Sequence, residues 1–267
     1  MPGIGTKETE LIANLSDRRM NVFSVAEAAQ LLGITNKAVS DLVLRLLKKK
    51  KLIRIEKAKY LIIPPEAWKT GEYSEEGIVI ASQIVEPYYL SYWTALSFYG
   101  WTEQPSRTIF VATTKIKRPI SIQGIIIRFI RLKKRRFFGY DEQWFGSRKI
   151  KVANKEKAIV DSLDQPRYCG EIVEAAKGLW NGRNDFNFDK ILEYSLKMEN
   201  GAIIKRLGYL MDTLGILTPS YRNKLSKRLT TGYPTLDSGQ KKKGFYNNEW
   251  KLFVNVEPNN LTEWKMH

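Results

Sequence analysis

At 267 residues the chain is longer than one compact domain of about 100–150 needs, and a 43% hydrophobic content is enough for a real core, so two or three folded units are expected and disorder is not the default. One cysteine, Cys169, and one histidine, His267, exclude a four-ligand structural zinc site and leave any Ser-His-Asp or Cys-His pair dependent on the final residue. The net charge of +16 points to polyanionic partners, DNA, RNA or an anionic membrane, and does not choose among them.

That surplus is spread along the chain. Through residue 70 there are 13 Lys and Arg against 7 Asp and Glu, a surplus of +6; beyond it there are 31 against 21, a surplus of +10. Residues 1–10 have no basic-then-apolar leader, and the richest apolar stretch, Gly77 to Leu90, is broken by Gln83, Glu86 and Pro87. A cytoplasmic protein without membrane association is expected. Lone Cys169 reads as a small buried residue.

Residues 6–19 fit a helix with Leu11, Ile12 and Leu15 on one side. Ser24-Val25-Ala26-Glu27 is a capping box, and the helix it opens packs through Val25, Ala28, Ala29, Leu31 and Leu32 until Gly33 stops it. Thr35 caps a second helix from about Asn36 to Lys49. Two helices joined by a three-residue turn containing glycine form a helix-turn-helix. At 100° per residue Val39, Leu42, Val43, Leu46 and Leu47 share the inner face, while Lys37, Ser40, Asp41, Leu44 and Lys48 lie outside, with Asn36 at the start. In such motifs the beginning of the second helix meets base edges, amides and hydroxyls read bases, and lysines hold phosphates. Exposed Leu44 suits a thymine methyl or a neighbouring domain. After Lys48 to Lys51 the period changes to two: Ile53, Ile55, Tyr60 and Ile62 alternate with Arg54, Glu56, Lys59 and Leu61 around a turn at Lys57-Ala58. This predicts a wing whose Lys57 and Lys59 touch phosphate or the minor groove. The alternative for the whole module is a protein-docking winged helix.

Pro64-Pro65 and Lys69 to Glu76 read as a linker. Beyond it, helices are expected over Gly77–Glu86 and Ser91–Tyr99, strands over Thr108–Thr114, Gly124–Leu132 and Arg148–Val152, and a helix capped by Asn154. Asp161 and Asp164 at the end of that helix read as solvent-facing or capping residues. Helices then follow over Glu171–Trp180, Phe188–Met198, Ala202–Leu214 and Ser220–Leu229, with a final strand over Trp250–Val256. The fold class is α+β: a winged helix-turn-helix over 1–70, then a mixed α/β domain over 77–267 with a helical section from about 154 to 229.

Several residues ahead of and within this region carry a resemblance. The winged helix is followed by Tyr88-Tyr89-Leu90-Ser91 and Ala95 to Gly100, then Val152 to Asp161, then Pro166 to Gly170. In this order, from about Thr9 to Val256, the chain resembles the AbiEi-type antitoxins, transcriptional regulators of type IV toxin–antitoxin systems. Cys169 stands where the family pattern has the first of two glycines. The resemblance implies repression of the protein's own operon through an inverted-repeat operator bound by the N-terminal module. It also implies a C-terminal domain that counteracts a nucleotidyltransferase-like toxin without a stable complex.

The sequence has no G-x-x-x-x-G-K-[ST] and no G-x-G-x-x-G, and no cofactor is expected. Asp237 with Glu249-Trp250-Lys251 has the flavour of a metal-dependent nuclease, but Glu263-Trp264-Lys265 shows how readily E-x-K arises by chance. Lys133-Lys134-Arg135-Arg136 is either a solvated turn or a second nucleic-acid contact, with Phe137 and Phe138 stacking on bases or plugging the core. The expectation is a non-enzymatic DNA-binding repressor and antitoxin. Its rivals are a winged-helix-targeted nuclease and a ligand-sensing regulator.

Overall fold

The computed structural model describes residues 3–63, 77–103, 106–122, 124–146 and 148–266. The expected linker at Pro64-Pro65 and 69–76, and His267, lie outside the described residues. The chain groups into two compact units, Met1–Glu86 with Pro119–Ile127, and Pro87–Arg118 with Arg128–His267. Residues 77–86, read from sequence as the start of the second domain, therefore group with the first unit, and so does a short stretch near residue 120.

In the first unit α1 (Thr6–Asp17) leads into β1 (Val22–Ser24), α2 (Val25–Leu32) and α3 (Asn36–Lys48), followed by β2 (Leu52–Glu56) and β3 (Lys59–Ile62). The three strands are ordered β1-β3-β2, both pairs antiparallel, which with the three helices makes a winged helix. Leu11, Leu15, Phe23, Val39 and Leu46 are fully buried at its centre. Leu61, placed outward by the alternation in the sequence, is fully buried as well. The adjacent Ile62 is buried too, so both faces of β3 are covered at this end of the strand. α4 (Gly77–Ser82) also belongs to this unit, and β6 (Ile120–Ile122) pairs with Ile125–Ile127 of β7 (Ile125–Arg131).

The second unit holds β4 (Tyr88–Leu90), α5 (Trp93–Phe98), β5 (Thr108–Thr113), the rest of β7, β8 (Tyr140–Phe145) and β9 (Arg148–Ala153). Its sheet runs β7-β5-β4-β9-β8, with β4 parallel to β9 and the β4–β5 and β8–β9 pairs antiparallel. Helices α6 (Lys155–Asp164), α7 (Glu171–Asn181), α8 (Phe188–Lys197), α9 (Gly201–Thr213) and α10 (Pro219–Ser226) follow, then a hairpin of β10 (Phe245–Asn247) and β11 (Leu252–Val254).

α6 is the axis of this unit. Asn154 caps it by accepting from the Lys157 N–H at 3.0 Å, and every residue from Glu156 to Asp164 is buried. Asp161 and Asp164 are therefore interior groups, contrary to the surface positions expected. Asp161, with no exposure, takes hydrogen bonds from the hydroxyls of Tyr89 (3.0 Å) and Ser91 (2.7 Å) and is ion-paired with the equally buried Lys157. Burial pushes its carboxyl above the ordinary range, with Lys157 and the two hydroxyls opposing. Phe137 packs on Tyr89 at 5.0 Å, and Phe138 on Tyr194 at 5.1 Å, so both lie half-buried against other rings of this unit. Cys169 is buried, and burial raises its thiol pKa, as befits an inert core residue.

Candidate nucleic-acid interface

The turn between α2 and α3 is built from local chemistry. Ser24 and Glu27 form the reciprocal capping box, with bonds of 3.2 and 2.6 Å. Gly33 takes φ +65 and ends α2. The Thr35 hydroxyl accepts from the Ala38 N–H at 3.2 Å and starts α3. This fixes the start of α3, along which Asn36, Lys37, Asp41, Leu44 and Lys48 are exposed. Leu44 is 57% exposed, an apolar side chain on an otherwise polar and basic surface. Ser40 is half-buried and donates its proton to the Asn36 carbonyl at 2.8 Å. Its oxygen is thereby left to accept, which suits an amino group on adenine or cytosine.

Two cations at the end of α3 reach back to α1, the exposed Arg45 and the half-buried Lys49 that follows the helix. The nearly buried Glu8 of α1 accepts from Lys49 at 2.6 Å, from Arg45 at 3.2 Å and from the Gly5 N–H at 2.8 Å. Burial alone would raise the Glu8 carboxyl; these donors outweigh it and hold it below its ordinary value. This clamp was not read from the sequence, although the spacing of Arg45 and Lys49, four apart on one helix face, is its trace.

The wing turns at Lys57-Ala58, with Ala58 at φ +57 and its carbonyl accepting from the Val25 N–H at 3.1 Å. Lys57 is exposed at the tip. Lys59 is not: its ammonium donates to the Ile84 carbonyl at 2.7 Å, and Gln83 beside it accepts from the Val22 N–H at 3.0 Å. Of the two wing lysines expected to meet phosphate, Lys59 is engaged by the segment after α4.

This module is similar to a known family. Residues 10–63 match the family of transcriptional regulators described as AbiEi antitoxins. The match runs from α1 to the end of β3, the winged helix nearly entire, and carries a DNA-binding regulatory role for this AbiEi-type domain. Comparison with curated proteins gives no match. Among solved structures, the RV2827C protein of Mycobacterium tuberculosis superposes with a TM-score of 0.69, covering 100% of this chain and 97% of its own, at 16% identity. At that identity the likeness is one of fold.

Outside the AbiEi-type domain, the Lys133–Arg136 turn is a short 3-10 helix. Lys133 and Lys134 are exposed, whereas Arg135 pairs with Glu199 at 2.7 Å and Arg136 lies between Asp164 (3.8 Å) and the Glu199 carbonyl (3.3 Å). Half of that positive charge is committed within the chain. In the acidic constellation, Asp237 is fully buried and accepts from the Ile172 and Gly239 N–H groups at 2.7 and 2.6 Å, while exposed Glu249 pairs with Arg222. The final strand begins at Leu252, so Glu249 and Lys251 lie in the turn before it. Among the described residues no group of three His, Cys, Asp or Glu is placed to hold a metal, and no helix is long and apolar enough to cross a membrane.

Proposed function

We propose that the protein is a sequence-specific repressor that binds an inverted-repeat operator, regulates its own operon and serves as the antitoxin of a type IV system. The observation that supports this most is the outer surface of α3 within the AbiEi-type domain: an amide, a hydroxyl and two lysines on a capped, rigid helix. An α-helix fits the major groove, where Asn36 can pair with adenine and Lys37 and Lys48 can flank phosphates. Lys57 at the wing tip adds a further phosphate contact. The rest of the chain counteracts a nucleotidyltransferase-like toxin without a stable complex and without a catalytic step. In keeping with that last point, the Asp237 carboxylate is already used in holding backbone.

The test is a footprint and mobility shift of the full chain on the DNA upstream of its own gene, with toxin co-expression alongside. Protection of a repeated half-site is expected. Asn36→Ala should shrink the gap between operator and random DNA by about 1–3 kcal/mol. Equal affinity of the wild type for operator and random DNA would refute sequence-specific repression. Unrelieved toxicity would refute the antitoxin role.

A further inference from the structure

The segment before the last hairpin displays charge on a fixed frame. Asn255, 8% exposed, donates to the carbonyls of Asp237 (2.8 Å), Lys241 (3.3 Å) and Gln240 (3.4 Å) and accepts from the Asp237 N–H at 2.9 Å. The Lys243 N–H donates to the Lys241 carbonyl at 2.9 Å. A Cβ on Gly244 would overlap the Val254 carbonyl, so only glycine brings the turn this close to β11. Lys241, Lys242 and Lys243 project from that turn, all exposed, and among the described residues none has an ion-pair partner. This contrasts with Arg135 and Arg136, whose charges are met within the chain.

Aromatic rings stand next to these lysines. Phe245 is 49% exposed, Tyr246 65% and Tyr233 42%. The antiparallel register sets Phe245 opposite Val254 and Tyr246 opposite Phe253, so the two exposed rings of β10 point to opposite faces. Tyr246 is held edge-on between Tyr233 (5.3 Å) and Phe253 (5.0 Å). On the other face Phe245, Lys241 and Lys243 border a groove of about 430 Å³ that also contains the amides of Gln240 and Asn260. Glu171 and Glu257 lie in the same groove, which disfavours phosphate within it and leaves phosphate to the lysine rim.

Three exposed rings beside three unpaired ammonium groups match a ligand with flat π faces and a polyanionic backbone. In a duplex those faces are hidden in the stack; in an unpaired strand they are free. We propose that the Lys241–Lys243 turn and the β10–β11 hairpin seat an unpaired nucleic-acid strand, RNA or single-stranded DNA. Bases stack on Tyr246 and Tyr233 on one face of the hairpin and on Phe245 on the other, while the lysines follow the phosphates. This seat is separate from the duplex-reading surface of α3.

The experiment is fluorescence anisotropy of the full chain with labelled oligouridylate and oligothymidylate of about 12 nucleotides, and with operator duplex as control. The relative affinities of the two strands distinguish RNA from DNA. Three lysines at about 0.7 each predict a contribution near −2 to the log–log salt slope, lost in the K241S/K242S/K243S variant. Phe245→Ala and Tyr246→Ala should each weaken strand binding roughly 5- to 100-fold, and Tyr246→Phe should keep it. Operator binding should be unchanged in these variants, while Lys37→Ala with Lys57→Ala should weaken operator binding and spare the strand. Thermal melts check folding; should Phe245→Ala melt early, the more exposed Tyr246 carries the test. Wild-type strand affinity in the aromatic variants overturns the proposal. So does parallel loss of duplex binding, which would make the hairpin part of the operator interface. Binding to phosphatidylserine vesicles without binding to oligonucleotides would make it a membrane contact instead.

Discussion

Replacing Asp161 by Asn tests the centre of the second unit most directly. The substitution keeps shape and leaves an oxygen to accept from Tyr89 and Ser91, yet removes the carboxylate paired with Lys157. The ammonium would stay fully buried beside the Met198 sulfur at 3.4 Å and the rings of Phe138 at 4.7 Å and Tyr89 at 5.7 Å. Breaking a buried pair from one side costs about 3–5 kcal/mol. At about 2–4 °C per kcal/mol for a unit of this size, the melting temperature should fall by about 6–20 °C. Adding Lys157→Met removes the stranded charge and should recover most of that loss. Lys157→Met alone strands a carboxylate whose pKa burial already raises. An acid with a raised folded pKa is increasingly destabilising as pH climbs above its unfolded value, so this variant should lose more stability at pH 7 than in mild acid. Urea unfolding followed by circular dichroism measures all three. A loss below about 1 kcal/mol for Asp161→Asn, or a double variant less stable than the single, would refute the reasoning.

Three further outcomes are expected. Lys57→Ala should lower the salt slope of operator binding by about 0.9, while Lys59→Ala should leave the slope alone and destabilise the first unit, because its ammonium holds the 83–84 carbonyls. Gly208→Ala should destabilise the second unit by about 1–3 kcal/mol in urea unfolding, since a Cβ there falls within the ring of Trp250, itself 1% exposed. Glu8→Gln should cost roughly 2 kcal/mol at neutral pH through weakened bonds to two cations. The Glu8 carboxyl is held below its ordinary value of 4.5, so its contribution is complete above that pH and is lost as pH falls through the folded pKa; the difference from wild type should vanish in stronger acid.

The winged helix was legible because its signals are local. Ser24, Glu27, Gly33 and Thr35 act on backbone within three or four residues, and the apolar spacing of α3 follows from its own period. Strands of three residues, such as β1, β4 and β6, carry no period long enough to detect, and only distant partners stabilise them. β8 was missed for another reason: it pairs along β9 with most of its side chains wet, so its composition resembles a loop. Asp161 was misplaced because the usual surface preference of a carboxylate presumes a helix with a wet face, and α6 has none over its last nine residues. The engagement of Lys59 depends on a carbonyl 25 residues away, which no local pattern reveals. The exposed rings of the last hairpin left no trace either, since nothing in Phe245 or Tyr246 distinguishes a core aromatic from a surface one.

The clamp on Glu8 divides α3 for anyone wishing to retarget it. Arg45 and Lys49 belong to the foundation that fastens the end of the helix to α1, and randomising them would cost stability. Among the described residues the exposed side chains of Asn36, Lys37, Asp41, Leu44 and Lys48 make no hydrogen bond or ion pair, and Ser40 gives a proton to its own helix. A library confined to those six positions would vary the operator preference while leaving the scaffold untouched.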